Sequence, residues 1–142
     1  MALDYGRRRI GISVSDPTRT IASPRGFVER SKTARKPTSL PQELLQLIRE
    51  TEPSAILVGI PFAMDGSAGA MAEEARAFAG ALTATTGITT VEWDERLTTA
   101  RAEREIRAME LSKTKRREKG RSDEMAATLM LTSYLRSSDA HA

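Results

Sequence analysis

The sequence predicts one α/β domain spanning residues 1–142, a mixed sheet with flanking helices in the order β-β-β-α-β-α-β-α-α. Three observations carry this. The chain has 142 residues, within the roughly 100–150 that one domain commonly holds. Its apolar residues alternate with period two near the N-terminus, then recur at helical spacing between short continuous apolar runs. Turn-forming residues punctuate each change of period. Aromatic residues are only 4% of the chain, so Ile, Leu, Val, Met and Ala must fill the core.

Residues 2–6 set Ala2, Asp4 and Gly6 against Leu3 and Tyr5, the pattern of a short strand with Asp4 at its end. Residues 9–15 alternate again, with Ile10, Ile12 and Val14 opposite Gly11, Ser13 and Ser15. With Arg7-Arg8 as the turn, the two form a hairpin. A third strand is expected from about Thr20 to Glu29, at a sheet edge or with a bulge, because Pro24 and Gly26 break its ladder. Ser31 to Pro37 is polar and basic, an exposed loop. Ser39 with Gln42 makes a capping box for a helix whose Leu44, Leu47 and Ile48 share one face and which Pro53 ends.

Ala55 to Ile60 is apolar without alternation, as a strand covered on both faces is. A turn-rich loop, Pro61 to Gly69, contains Asp65-Gly66. Met71, Ala75, Phe78, Ala79 and Leu82 then recur at helical spacing, and Gly87 closes the second helix. Thr89 to Trp93 is a strand that delivers Asp94 and Glu95 at its carboxyl end, and a third helix covers about Thr98 to Glu110. After a basic loop, Ser122 is placed as the cap of a last helix reaching about Leu135.

Composition excludes several chemistries. There is no cysteine, which removes disulfides, thiolate nucleophiles and cysteine zinc sites. The single histidine, His141, stands beside the last residue and reads as a tail residue. Histidine-based triads and histidine metal sites are thereby excluded. The opening residues carry no basic segment followed by a long apolar one, and no run approaches the roughly 20 apolar residues of a membrane helix. A cytoplasmic location is expected, with no membrane partner.

The net charge is only +3, but the basic residues are clustered. Arg7, Arg8 and Arg9 form one group, and Arg30, Lys32, Arg35 and Lys36 another. The densest holds Lys113, Lys115, Arg116, Arg117, Lys119 and Arg121. Such clusters between structured segments are what phosphate-backbone contacts look like in sequence, and equally what solvated loops look like. Ser67, after Gly66 and ahead of a helix, either offers backbone N–H groups to a phosphate or belongs to an ordinary helix-entry turn. Arg96 either contacts substrate or pairs with a neighbouring acid.

Acid, base and ligand roles fall to carboxylates, each with two readings. Asp123 lies on the last helix in one stripe with Ala126, Ala127, Met130, Leu131 and Tyr134, opposite Glu124, Thr128, Thr132 and Arg136. It either complements the positive helix terminus or, beside small alanines, is carried against the sheet. Asp4 is either turn chemistry ahead of Gly6 or a carboxylate in an interior strand, where an unpaired acid is costly. Asp94 and Glu95 are either solvated loop residues or a strand-end pair. Together these acids say more than each alone. Carboxylates about 4 Å apart repel by about 4 kcal/mol per pair at an effective dielectric of about 20, so such a cluster needs a cation. Oxygen ligands without histidine or cysteine select Mg²⁺ or Mn²⁺. Two such ions about 3.5–4 Å apart activate a water and stabilise the leaving oxygen of a phosphodiester.

Four motifs in order, LDYGRRRIGISVSD (3–16), ILVGIPFAMDGSAG (56–69), WDERLTT (93–99) and GRSDEMAATLML (120–131), resemble the YqgF/RuvX family of pre-16S rRNA nucleases and Holliday junction resolvases. The resemblance spans nearly the whole chain. It implies a ribonuclease H-like fold, with Asp4, Glu95 and Asp123 at the family's catalytic acid positions and Asp94 as an alternative or auxiliary metal ligand. Related resolvases carry an acid on the fourth strand, where this chain reads Val58-Gly59-Ile60. The family also has several residues ahead of the first aspartate, where this chain has Met1, Ala2 and Leu3. A natural start upstream of Met1 would leave a truncated, frayed first strand and a poorly held Asp4.

The functional expectation is a metal-dependent nuclease, with precursor 16S rRNA processed near its 5′ end as the favoured substrate. A resolvase acting on branched DNA is the alternative, and it calls for a two-fold dimer. A non-catalytic nucleic-acid-binding module is a third, against which the complete set of acids argues. Both a monomer and a homodimer fit the sequence.

Overall fold

The structure, a computed structural model, describes residues 1–98, 100–112 and 121–137. Five strands form one mixed sheet: β1 (Ala2–Asp4), β2 (Arg9–Ser15), β3 (Ala22–Glu29), β4 (Ala55–Ile60) and β5 (Thr89–Asp94). Their spatial order is β3-β2-β1-β4-β5. β1 runs antiparallel to β2 and parallel to β4, which runs parallel to β5. The helices are α1 (Gln42–Thr51), α2 (Ala70–Thr86), α3 (Ala100–Ser112) and α4 (Arg121–Arg136). The predicted element order holds, with one addition: a 3₁₀ turn, Glu95–Leu97, links β5 to α3.

The shortest strand is the most firmly held. β1 has strands on both sides, and the Met1 ammonium donates to the Ala55 carbonyl at 3.3 Å while the Leu57 N–H donates to the Met1 carbonyl at 2.8 Å. Ala2 and Leu3 are fully buried. The expected fraying is absent because backbone pairing on two edges fixes all three residues. β3 takes the predicted edge position, with a register shift opposite Gly11–Ser13.

Each sheet face has its own apolar layer. Leu3, Ile10, Ile12, Val58 and Ile60 pack with Leu44 and Ile48 of α1 and with Phe78 and Leu82 of α2. Ala2, Leu57 and Trp93 pack with Ala127, Met130, Leu131 and Leu135 of α4. Trp93 meets Tyr134 edge-on, with centroids 5.7 Å apart, a favoured aromatic geometry. No helix among the described residues is long and apolar enough to cross a membrane.

Three local expectations are corrected. The Ser39–Gln42 capping box does not form: Pro41, extended at φ −61° and ψ 138°, precedes the first helical residue. A residue ahead of proline is pushed out of the helical region, so Leu40 cannot begin the helix. Ser122 is no cap, since α4 opens one residue earlier at Arg121. Thr128 and Thr132, although opposite the stripe that carries Asp123, are buried, since α4 packs against β2 and β3 as well as α3. The Thr128 hydroxyl is satisfied by the Glu124 carbonyl at 2.7 Å.

Gly11 is where α4 meets the sheet most closely. A Cβ there would stand 2.1 Å from the Asp123 carbonyl oxygen, and that neighbour is backbone. Gly80, exposed within α2, has nothing within 4 Å of such a position. Gly11→Ala is therefore expected to destabilise by about 1–3 kcal/mol, and Gly80→Ala to stabilise by about 0.5–1 kcal/mol. Urea titration checks both, and a Gly11→Ala midpoint equal to wild type contradicts this packing.

Candidate active site

Three acids reach the site from separate stretches of chain. Asp4 is the last residue of β1 and lies opposite Gly11 of β2. Since Leu3 pairs with Val58, Asp4 comes level with Gly59 on β4. A glycine thus stands beside Asp4 on each neighbouring strand, and each admits another acid. Gly11 lets the α4 backbone at Asp123 approach β2. Gly59 makes room for Glu95, whose Oε1 lies 2.7 Å from where a Cβ on that glycine would be. The Met130 sulfur of α4 lies 2.3 Å from the same point. Gly59, where this chain has no side chain on β4, is therefore covered by Glu95, arriving just after β5.

The electrostatics show how close these acids are. The Asp4 carboxyl is pushed up to about 7, first by burial, then by the negative charge of Glu95 and then of Asp123. Burial also raises Glu95, with Asp94 adding to it. Asp123 is paired with a cation: the Arg9 Nε donates to its Oδ2 at 3.0 Å. Arg9 itself lies over the Phe27 ring, 6.0 Å from the centroid.

Asp94 does not join the group. Both its oxygens accept from Arg96, from Nε at 3.0 Å and, for Oδ2, from Nη2 at 2.6 Å. These bonds hold its carboxyl below the usual range. The auxiliary-ligand expectation thus meets an acid already occupied by its neighbour.

The donor set fits a hard divalent cation. It is all oxygen, and it centres on a buried acid at the end of β1 whose carboxyl feels the negative charges of Glu95 and Asp123. Among the described residues no three acids stand in ligating geometry as they are. Asp123 has its Oδ2 turned to Arg9.

The basic residues sort unevenly. Arg8 is exposed and unpaired among the described residues. Arg7 is tied to Glu74 by bonds of 2.8–3.3 Å, and Arg96 to Asp94. The Ser67 N–H and hydroxyl both donate to Asp65, at 2.9 and 2.6 Å, and the Gly66 N–H donates to Ala63. Of the two readings of Ser67, these bonds form the turn, with the Ser67 donors on Asp65, and α2 begins only at Ala70. Lys113, Lys115, Arg116, Arg117 and Lys119 lie outside the described residues, as does the side chain of Arg121.

Two features escaped the sequence. Arg30, grouped with exposed basic residues, is buried: it donates to the Tyr5 hydroxyl at 2.9 Å and the Lys36 carbonyl at 2.6 Å, and stacks on the Tyr5 ring at 5.0 Å. Tyr5 in turn donates to Glu74 at 3.0 Å, which ties α2 to the end of β1. The packing role of Gly11 and Gly59 was also missed, although a lone glycine inside a strand is a signal of close approach.

A buried acid held at about 7 instead of 3.8 keeps its proton in the folded state at pH values where the unfolded chain has lost it. Stability of the metal-free protein then falls as pH rises from about 4 to about 7, by up to about 4 kcal/mol. Asp4→Asn removes that cost. In EDTA at pH 8 the variant is expected to melt several degrees above wild type, with the gap closing by pH 4. A variant that melts at or below wild type at pH 8 contradicts the electrostatics.

Comparison with known proteins places this site in context. The relative from Agrobacterium fabrum, named "Putative pre-16S rRNA nuclease", is 38% identical over 94% of this chain and 80% of its own length. The same name is carried by the relative from Roseiflexus sp., 39% identical over 95% and 92%, and by that from Chlamydia felis, 34% identical over 97% and 90%. Among solved structures, Thermus thermophilus RuvC superposes with a TM-score of 0.59 at 14% identity, covering 94% of this chain and 93% of that one. T. thermophilus RuvC in complex with Holliday junction substrate gives 0.58 at 17% identity, covering 94% and 92%. These two show a shared ribonuclease H-like fold. The profile of the family described as "RuvX: Holliday junction resolvase" matches residues 1–137, and with relatives of this identity over nearly the full length, the chain belongs to the RuvX family.

Proposed function

We propose that residues 1–142 act as a single cytoplasmic domain, a metal-dependent nuclease that hydrolyses phosphodiester bonds and whose substrate is precursor 16S rRNA. The observation that carries this is Asp4: a buried carboxylate on the central strand, in the field of Glu95 and Asp123, at the carboxyl ends of the parallel strands. Sites in α/β sheets gather at those ends. The names of the relatives support the RNA substrate.

Asp4, Glu95 and Asp123 would hold the cation, Mg²⁺ or Mn²⁺. When bound, divalent ions supply a water nucleophile at neutral pH and offset charge on the attacking and leaving oxygens. The chain's own residues bind and orient. The packing around Asp4 excludes water, and the lower local dielectric strengthens electrostatic interactions at the site. Arg9 pairs with Asp123 while no cation is bound and, once Asp123 turns to the cation, leaves positive charge at the edge of the site. Arg8, exposed beside β1, is a candidate contact for a backbone phosphate.

A second reading, cleavage of four-way DNA junctions, is favoured by the family's description and by the RuvC-like fold. It requires two active sites related by a two-fold axis, hence a homodimer. Competition between a precursor 16S rRNA fragment and a four-way junction, with manganese present, separates the two. Preferential cleavage of the RNA is expected, and exclusive cleavage of the junction reverses the assignment.

Asp123→Asn tests the acids. Cleavage is expected to fall by more than the roughly 10–100-fold that loss of an outer-shell metal partner causes, with RNA binding nearly intact. Wild-type rates in this variant would remove Asp123 from the site.

A further inference from the structure

The loop 61–69 leaves the carboxyl end of β4, and the 3₁₀ turn Glu95–Leu97 leaves the carboxyl end of β5. One side chain joins them. From the turn, Arg96 donates to both oxygens of Asp94, and its Nη1 reaches across to the carbonyls of Ala63 at 3.3 Å and Met64 at 3.4 Å. Its guanidinium also faces the Phe62 ring, 5.7 Å from the centroid. The Arg96 backbone N–H closes the turn on Asp94 Oδ1 at 3.0 Å.

The far side of this bridge is itself a closed unit. Within the loop, the Ala63 N–H donates to Ser67 and the Gly66 N–H to Ala63, while Asp65 accepts from Ser67. Arg96 therefore grips a preformed loop by its main chain. Between Asp94 and Arg96 in sequence stands Glu95, whose carboxylate lies over Gly59 of β4, inside the acid group. Arg96 reaches the loop and Asp94 holds Arg96, so the two neighbours of Glu95 are tied to each other and, through Arg96, to the loop that follows β4.

We propose that Arg96 is a positioning residue for the nuclease site: it clamps the turn after β5 to the loop after β4 and so holds Glu95 over β4, with Asp94 as its anchor and not as a metal ligand. The effect on cleavage rests on the nuclease function proposed above, whereas the clamp itself does not. The geometry also separates this role from phosphate binding. A planar fork satisfies a carboxylate and two carbonyls together, which the point charge of lysine does not. A phosphate engaging the fork of Arg96 would compete with those acceptors for its N–H groups.

The test uses the full chain with Arg96→Ala, Arg96→Lys, Asp94→Asn and the Arg96→Ala/Asp94→Asn double variant. Manganese affinity is read by calorimetry, binding of a labelled RNA duplex in EDTA is read against salt concentration, and stability is read in urea. Arg96→Ala and Asp94→Asn are each expected to weaken manganese binding roughly 10–100-fold, as loss of an outer-shell partner does. Arg96→Lys is expected not to restore it. The double variant should be no worse than the larger single, in metal affinity and in urea midpoint alike, because the two residues act as one unit. The salt slope should stay as in wild type, and kcat should fall without a rise in KM.

A salt slope reduced by about 1 in Arg96→Ala, with manganese affinity unchanged, is the signature of a lost phosphate contact and overturns the proposal. Additive losses in the double variant also overturn it, as does full rescue by lysine. A wild-type chain that binds no manganese would remove the nuclease function instead, and the clamp is then decided by the salt slope and the urea coupling.

Discussion

The structure is organised around a buried acid that has no cationic partner among the described residues. Asp4 sits on the central strand of the sheet, buried, with Glu95 and Asp123 as its nearest charged neighbours, and its carboxyl is pushed up to about 7 as a result. A fold selected for stability alone would place an apolar side chain there, since a buried acid without a partner costs several kcal/mol. The surrounding construction keeps the acids together all the same. β1 is pinned along both edges, so Asp4 cannot swing out to solvent without breaking ladder bonds.

The two strand glycines are the means by which three distant stretches of chain converge. Gly11 admits the first turn of α4, and Gly59 admits Glu95 together with Met130. Neither site tolerates a Cβ without movement of its neighbours. The apolar face of α4, through Ala127, Met130, Leu131 and Leu135, anchors that helix on Trp93 and Leu57, so the core layer and the position of Asp123 are one problem of packing. Two arginines then settle the acids at the rim. Arg9 takes Asp123 and Arg96 takes Asp94, which leaves Asp4 and Glu95 without a cation of their own among the described residues. In this arrangement Asp94 and Glu95, adjacent in sequence, have opposite environments: one is ion-paired and acidified, the other desolvated and raised.

Much of this was legible in the sequence, for physical reasons that differ by element. The order of strands and helices followed from periodicity, and β4 from an unbroken apolar run that only a doubly covered strand explains. Pro24 and Gly26 announced an edge strand because their effect on a ladder is local. The acids were legible as residue types, but their convergence came from family resemblance, since spacing in sequence carries no distance between β1, β5 and α4. What failed depended on tertiary context or on the chemistry of an immediate neighbour. The Ser39 cap was lost to the proline two residues on, Thr128 and Thr132 were buried as α4 packed on its neighbours, and Arg30 turned inward because Tyr5 and the Lys36 carbonyl give its guanidinium partners. Ser67 had two readings, cradle or turn, and Asp65, two residues earlier, took its donors for the turn.

The central claim is that Asp4, Glu95 and Asp123 share a divalent cation. Anomalous diffraction from crystals grown with manganese tests it most directly. A manganese peak in contact with carboxylate oxygens of all three residues, with Asp123 released from Arg9, is the predicted result. A peak elsewhere on the molecule, or none beside Asp4 at saturating manganese, would contradict it.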